Sequence, residues 1–523
     1  MTYIGKSVKR VEDKRFLTGQ GKYTDDIKLP GMTHAYLLRS PYAHANITSI
    51  DISAAQAAEG VVHIFTGADI AAAGINGVPC GWQVDFKNGD TMKEPPHPLL
   101  VADRVKHVGD ARDAAELIEV DYEELPAVTD PAAAAVEGAP LVHDDAPNNM
   151  CFDWELGNPK DEVRAALDSA HHVTSLEFVN QRVVPNAMEP RSAIGHYDTS
   201  NEKFTLYTTS QNPHLTRLLM CAFVLGIPEH KVRVLAPDVG GGFGSKIFHY
   251  TEEALVTWAS RELKRPIKWT SDRSEAFLTD AHGRDHVTKA EMGFDADGNI
   301  VALQATTYAN LGAYLSTFAP AVPTYLHGTL MQGLYTTPKV NVDVTGMFTH
   351  TNAVDAYRGA GRPEATYLLE RLLDLAALEM GKDPAKLRLQ NFIEPFDGVE
   401  QPGYQTQVAL QYDSGNYHAV LNRALEMVGY DDFRKEQAAA AAEGKLLGIG
   451  FSTYIEACGI APSAVVGALG ARAGLFESAQ VRVQPTGKVS VYTGSHSHGQ
   501  GHETTFAQVV ADRRGLQMED VEH

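Results

Sequence analysis

Cysteine is nearly missing from this sequence. In 523 residues there are four, Cys80, Cys151, Cys221 and Cys458, all far apart and none in a CxxC pair. That excludes a disulfide framework and an iron–sulfur cluster held by closely spaced thiolates within the chain. It suits a reducing, cytoplasmic setting. Basic residues are also in deficit: 45 Lys and Arg against 66 Asp and Glu leave a net charge of −21. Nucleic-acid or anionic-membrane partners need a basic face and are therefore not expected, although a local basic pocket can still hold one anionic cofactor. No long uninterrupted apolar run occurs, so no membrane insertion is expected. The opening "MTYIGKSVKRVEDKRF" carries charges with no apolar run behind them, so it does not read as a secretory signal.

What is present is ordinary for a globular protein of more than one domain: 44% hydrophobic and 21% charged residues. Residues 1–130 read as a small mixed α/β unit. "MTHAYLLRS" and "VVHIFTG" are strand-like, and "SAAQAAEG" is a short helix with Ser53 as N-cap and Gly60 as its stop. "ARDAAELIEVDYEELPAV" reads as helix, strand and turn. Residues 131–150, rich in Ala, Pro, Asp and Asn, look like an extended linker.

Beyond them one pattern occurs three times. "KVRVLAPDVGGGFGSKI" is a strand and a Gly-rich loop, followed by the helix "TEEALVTWASRELKRP". "NAVDAYRGAGRPEA" is a second Gly-rich loop, followed by a helix whose Leu368, Leu369, Leu372, Leu373 and Ala376 share one face and which Gly381 and Pro384 end. "VSVYTGSHSHGQGHE" leads into "TTFAQVVADRRG". A Gly-rich loop before a helix N-terminus lets backbone N–H groups approach an anion closely. One such loop is more simply a tight turn; three in one chain point to one large polyanionic cofactor held from several sides. "GGGFGSK" fits neither the P-loop nor the GxGxxG spacing, so ATPase and nicotinamide readings are unsupported.

The third loop packs His496, His498 and His502 into seven positions. They are not at helical i, i+4 spacing. Zinc ligation, as in a metal-dependent hydrolase, stays open. A polar loop whose side chains hydrogen-bond a ligand is preferred, with Gln500 offering both donor and acceptor.

"DVGGGFGSK", "DAYRGAGRPEATYLLERLLDLAA" and "GSHSHGQGHETTFAQVVAD" together resemble the large, molybdenum-binding subunit of the xanthine dehydrogenase, aldehyde oxidase and aerobic carbon monoxide dehydrogenase family. "RVEDKRFLTGQGKYTDD", "LLRSPYAHANI", "EPRSAIGHYD" and "SQNPHLTRLLMCAFVLGIPEHKVRV" extend the likeness over essentially the whole chain. The resemblance implies an α+β protein: an α/β hammerhead domain over 1–130, a linker over 131–150, and molybdopterin-binding domains over 151–395 and 396–523. It implies a molybdopterin cytosine dinucleotide carrying Mo, with no protein ligand to the metal. By the same resemblance Gln211 approaches the molybdenum. Gly241, Gly242, Phe243 and Gly244 form the first cofactor loop, with Phe243 facing substrate. Arg358, Gly359, Ala360, Gly361 and Arg362 form the active-site loop, and Gln500, Gly501 and His502 the third. Arg358 and Phe243 are the residues expected at the chemistry, although core packing for Phe243 and a surface ion pair for Arg358 remain alternatives.

The implied reaction is oxidative hydroxylation of an aldehyde, N-heterocycle or related small substrate with water-derived oxygen and a glutamate base. Electrons would pass to a 2Fe-2S small subunit and an FAD medium subunit in a dimer of heterotrimers. Three departures stand out. Members that oxidise carbon monoxide carry a copper-binding cysteine where this chain has Gly359. The family's catalytic glutamate falls in a stretch beyond His523, which makes a cofactor-binding fragment without its base the alternative expectation. "RVKHVGDARDAAELIEV" looks short by a strand.

Overall fold

A computed structural model describes residues 2–108, 117–399, 403–457, 459 and 463–522. Two five-stranded mixed sheets form its framework. The first runs Met150–Gly157, Val340–Phe348, Ile300–Gly312, His286–Phe294 and His172–Asn180. Its central strand "IVALQATTYANLG" is nearly continuously apolar or small because both faces are covered. Ala302 packs with Val163 and Leu167 of the Lys160–Asp168 helix, while Leu303 and Ala305 point into the main core. That core includes Leu368, Leu369, Leu372, Leu373 and Ala376 of the Arg362–Glu379 helix, all at most 3% exposed. This is the face the sequence spacing indicates. Each such leucine contributes roughly 1.5–3 kcal/mol by leaving water.

The second sheet runs Thr33–His34, Ile267–Thr270, Ser192–Asp198, Lys203–Thr208 and Val232–Leu235. Ala254, Leu255 and Trp258 of the Thr251–Leu263 helix share its core. Its edge strand, Thr33–His34, comes from the N-terminal unit, which is thereby joined to this second sheet. That unit has its own sheet of Arg104–Val105, Ala45–Asp51 and Glu119–Glu124. Near the other end, Val489–Thr493 pairs with Ala479–Val483 and, in parallel, with Val521–Glu522, the His502–Arg514 helix making the crossover. The fold is α+β.

Several local expectations are revised. Ser53 is the first helical residue of Ser53–Ala57, not its cap: Ile52 holds the cap position, and Asp51 Oδ1 accepts the Ser53 N–H at 2.8 Å. "VVHIFTG" forms no strand; Phe65 instead packs on Trp258, 4.7 Å between ring centres, so tertiary packing replaces sheet pairing. Only Thr33 and His34 of "MTHAYLLRS" pair in a sheet. Pro384 does not merely stop a helix; it starts Pro384–Asn391, capped by Asp383. The 131–150 segment is packed rather than a free tether. Asp130 caps a Pro131–Ala134 helix, Val142 and Ala146 are fully buried, and the Asn149 amide accepts the Val142 N–H at 2.8 Å. Most of the expected helix "ARDAAELI" (residues 111–118) and the shortening beside it fall on residues 109–116, outside the described residues.

Candidate functional site

Each Gly-rich loop leaves the C-terminal end of a strand and enters a helix. Loop 1 joins Val232–Leu235 to Thr251–Leu263, loop 2 joins Val340–Phe348 to Arg362–Glu379, and loop 3 joins Val489–Thr493 to His502–Arg514. The three loops meet. The Arg358 N–H donates to Phe243 O at 2.8 Å, locking loop 2 to loop 1. A Cβ on Gly244, whose φ is +110°, would lie 2.2 Å from Ala356 O, so only glycine allows this approach.

Gln211 ties loop 1 to loop 3. Its Oε1 accepts the Gly244 and Lys246 N–H groups at 3.0 and 3.3 Å, and its Nε2 lies 3.2 Å from His498 Nε2. A Cβ on Gly242 would stand 2.2 Å from that Oε1, so Gly242 backs Gln211 and lines neither cavity described below. The next residue, Asn212, caps the Pro213–Leu219 helix, which fixes the "SQNP" turn. On loop 3, Gln500 Oε1 accepts the His498 N–H at 2.6 Å, and its Nε2 is 3.2 Å from His498 Nδ1.

A cavity of about 550 Å³ opens where the loops converge. It is lined by Gln211, Phe243, Gly244, Ile247, Ala356, Tyr357, Arg358, Gly359, Ala360, His498, Gly499 and Gln500. A second cavity of about 950 Å³ is bounded by Gly240, Gly241, Phe243, His214, residues 493–499 and the segment Arg10–Tyr23. Phe243 lines both and is 40% exposed, so it is no core residue. Arg358 is exposed and makes no ion pair among the described residues. Gly361, Arg362, Gly501 and His502 line neither cavity: Gly361 and Gly501 precede the first helical turns, and Arg362 Nη1 donates to Gly359 O at 3.2 Å.

The histidines do not converge. Among the described residues no group of three His, Cys, Asp or Glu side chains is arranged to hold a metal ion. His498 turns to Gln211, while His502 stacks on Phe506 with ring centres 4.9 Å apart. Burial, then His496, His502 and Lys246, push the His498 pKa down to about 4, so its ring is neutral near pH 7. His496 Nε2 and His502 Nδ1 are buried without a hydrogen-bond partner among the described residues.

The comparisons with known proteins bear on these loops. Residues 18–126 match the aldehyde oxidase and xanthine dehydrogenase a/b hammerhead domain, and residues 142–392 and 423–523 match molybdopterin cofactor-binding domains. The carbon monoxide dehydrogenase large chain of Afipia carboxidovorans is 35% identical over 99% of this chain and 66% of its own length. The crystal structure of quinoline 2-oxidoreductase from Pseudomonas putida 86 matches with TM-score 0.92 at 36% identity, over 100% of this chain and 66% of that one. A carbon-monoxide-reduced Cu,Mo-CO dehydrogenase matches with TM-score 0.88 at 34% identity, over 99% of this chain and 67% of that one. The chain belongs to the xanthine dehydrogenase and aldehyde oxidase family of molybdopterin-binding subunits. It spans about two thirds of these relatives, 66% of the Afipia chain. Loops 1 and 2 lie in the first molybdopterin cofactor-binding match and loop 3 in the second. In this family member the smaller cavity therefore lies at the junction of the two matches.

Sequence reasoning passed over the groups that hold the loops. Glu189 Oε2 accepts the Gly240 N–H at 2.7 Å and pairs with Lys246 Nζ at 3.1 Å, bracketing loop 1 at both ends. Tyr250 OH donates to Ser245 O at 2.5 Å, and the Arg191 guanidinium lies 3.6 Å above the Tyr250 ring. Burial would raise the Glu252 pKa, but Arg191 and Arg39 win and hold that carboxyl far below the usual range. Arg284 donates to Tyr357 O and Arg358 O, both at 3.0 Å, and pairs with Glu364 at 3.1 Å beneath loop 2. None of these residues sits in a pattern that spacing flags. The only signal for His498 was its place in the histidine loop.

Proposed function

We propose that this chain is the molybdenum-binding subunit of a hydroxylase that oxidises an aldehyde, an N-heterocycle or a related small electron-poor carbon substrate, with oxygen taken from water. The observation that carries the reading is the 550 Å³ cavity, because all three Gly-rich loops contribute to its wall. The residues present fit a molybdopterin. Gln211 is held by two backbone donors, and buried ring nitrogens of His496 and His502 lack partners among the described residues. Glycines bring backbone, rather than side chains, up to the cavity. When bound, the cofactor supplies two-electron redox chemistry and activation of water.

The chain's own residues supply the rest. Arg358 presents a fixed cation with a planar fork of donors, suited to a substrate carbonyl or ring nitrogen. Phe243 offers an aromatic wall, and Gln211 and Gln500 orient the cofactor. Arg362 and His502 act from behind, at the starts of their helices. Glu503 is engaged by Arg15 and is given no base role. The division 1–130, 131–150, 151–395 and 396–523, the cytosine dinucleotide form, a cytoplasmic location and the dimer of heterotrimers belong to the same reading. So do a 2Fe-2S small subunit and an FAD medium subunit: Cys80, Cys151 and Cys221 are buried, and burial raises the pKa of each thiol. Among the described residues no helix is long and apolar enough to cross a membrane.

Carbon monoxide is not the substrate in this reading. Position 359 is glycine at φ +103°, and a Cβ there would lie 2.3 Å from Pro363 Cγ. The loop therefore has neither the soft ligand Cu(I) needs nor room for one as it stands.

Metal and nucleotide analysis of the protein purified from a molybdenum-replete host tests the proposal. Molybdenum and acid-released cytidine nucleotide near one per chain, with no copper, are expected. Stoichiometric zinc without molybdenum would overturn it.

A further inference from the structure

The N-terminal segment does not lie with its own unit. Residues 3–15 run along the His502–Arg514 helix, nearly five hundred positions away in sequence. The Tyr3 N–H donates to Asp512 Oδ1 at 2.6 Å, and the Val11 N–H donates to Thr504 Oγ1 at 2.8 Å. Thr504 in turn donates to Glu12, and Gln508 Nε2 reaches Tyr3 O and Lys6 O, both at 3.1 Å. Tyr3 and Val8 cover Ala507 and Ala511. Arg15 ends the run. Its guanidinium forks Glu503 at 3.0 and 2.9 Å and, in the same plane of donors, reaches Asp238 at 2.7 Å. Asp238 lies at the entrance to loop 1 and is itself paired with Lys22, whose N–H it accepts at 2.8 Å and whose carbonyl takes the Asp238 N–H at 3.0 Å.

We infer that residues 3–23 form a staple that holds loop 3 against loop 1, with Arg15 as the positioning residue that joins the two. The geometry gives Arg15 this place because it contacts both loops' flanks at once. Glu503 follows directly on loop 3, in the first turn of its helix, and Asp238 is two residues before Gly240. All three side chains line the larger cavity. Asp238 and Glu503 share the Arg15 Nη2 nitrogen, so cutting the fork leaves two neighbouring carboxylates without the cation between them, and loops 1 and 3 are pushed apart rather than merely untied. The contact at risk is Gln211 to His498, the link between loop 1 and loop 3 at the smaller cavity. That the staple also slows loss of a bound cofactor rests on the functional reading above.

Hydrogen exchange on the purified protein, as wild type, Arg15→Ala, Arg15→Lys and Glu503→Gln, tests the staple. In Arg15→Ala the amides of residues 495–514 should exchange on the order of tenfold faster, the loss of charge-assisted hydrogen bonds at a partly exposed site. The Thr251–Leu263 and Arg362–Glu379 helices should be unchanged. Arg15→Lys should recover part of the protection, since one ammonium reaches an acceptor but cannot fork three. Glu503→Gln should fall between wild type and Arg15→Ala. Unchanged exchange over 495–514 in Arg15→Ala, or a rise spread evenly over the whole protein, overturns the inference. Molybdenum retention during dialysis should follow the same order. Retention unaffected while 495–514 loosens overturns the link to the site. If the wild type binds no molybdenum, the functional reading fails, and the exchange comparison still decides the staple.

Discussion

Gly244→Ala is the sharpest test of how the loops are locked. The backbone at Gly244 has φ +110°, a conformation that L residues rarely adopt. Strain of this kind costs roughly 1–3 kcal/mol. The new Cβ would also lie 2.2 Å from Ala356 O and 2.9 Å from Ala356 C. Both are backbone atoms, so no rotamer relieves the clash and one loop must move. The move pulls the Gly244 N–H from Gln211 Oε1, now 3.0 Å, and Phe243 O from the Arg358 N–H, now 2.8 Å. Each lost hydrogen bond adds about 1 kcal/mol, for a total of roughly 3–5 kcal/mol. Gly381→Ala is the control: its φ of +64° carries strain, but nothing lies within 4 Å of its Cβ position. The assay is amide exchange at Arg358 together with the denaturation midpoint. Gly244→Ala should raise Arg358 exchange by tenfold or more, about 1.4 kcal/mol per decade, while Gly381→Ala leaves it alone. If Arg358 is equally protected in all three proteins, the loops are not locked through Gly244 and the reasoning fails.

Other outcomes follow from the same geometry. Arg358→Ala should keep its molybdenum and its stability to within about 0.5 kcal/mol, since the side chain is exposed and makes no ion pair among the described residues. Steady-state assays should nevertheless show turnover down about a hundredfold or more; undiminished turnover would remove Arg358 from the chemistry. Gln500→Ala frees His498, and with it the partner of Gln211, so metal analysis should find reduced molybdenum occupancy at an unchanged unfolding midpoint. Acid should destabilise the fold between about pH 6.5 and 4. His143 is buried, its Nδ1 faces the Lys106 ammonium at 2.9 Å, its Nε2 meets Ala313 O at 2.6 Å, and burial pushes its pKa down to about 4. The unfolded chain binds a proton there at about pH 6.5, so stability falls as pH drops through that window and levels off below it. His143→Gln keeps both hydrogen bonds and should remove up to about 3 kcal/mol of the acid slope in pH-dependent denaturation. An unaltered slope would show that His143 is not the group responsible.

Much of the candidate site's geometry was legible because its loops are written in glycine. Strand, Gly-rich loop and helix occur in that order three times, and the structure brings Gln211, Phe243, Gly244, Arg358, Gly359, Ala360 and Gln500 onto one cavity wall. The Arg362–Glu379 helix was readable from leucine spacing alone, since a face with Leu368 and Leu372 at most 3% exposed has to repeat at helical period. Long-range partners were not readable. Nothing near Arg284 in sequence announces that its donors hold the carbonyls of Tyr357 and Arg358, and nothing in "VVHIFTG" tells that Phe65 packs on Trp258 instead of pairing in a sheet. Ser53 failed as a cap because Asp51, two residues earlier, already takes its N–H. For Arg284 and Phe65 the deciding contact joins positions that local pattern cannot compare; for Ser53 it is a nearer competitor for the same N–H.

The docking of the first residues on the His502–Arg514 helix also sets a timetable. Partners separated by 488 to 509 positions cannot meet until the residues between them have been made. At about 5–20 residues per second that delay is on the order of a minute. Throughout it Tyr3 and Val8 have no Ala507 or Ala511 to cover them, and Arg15 has no Glu503. Residues 3–15 thus wait for a partner made almost five hundred residues after them, and their docking follows rather than precedes the synthesis of everything in between.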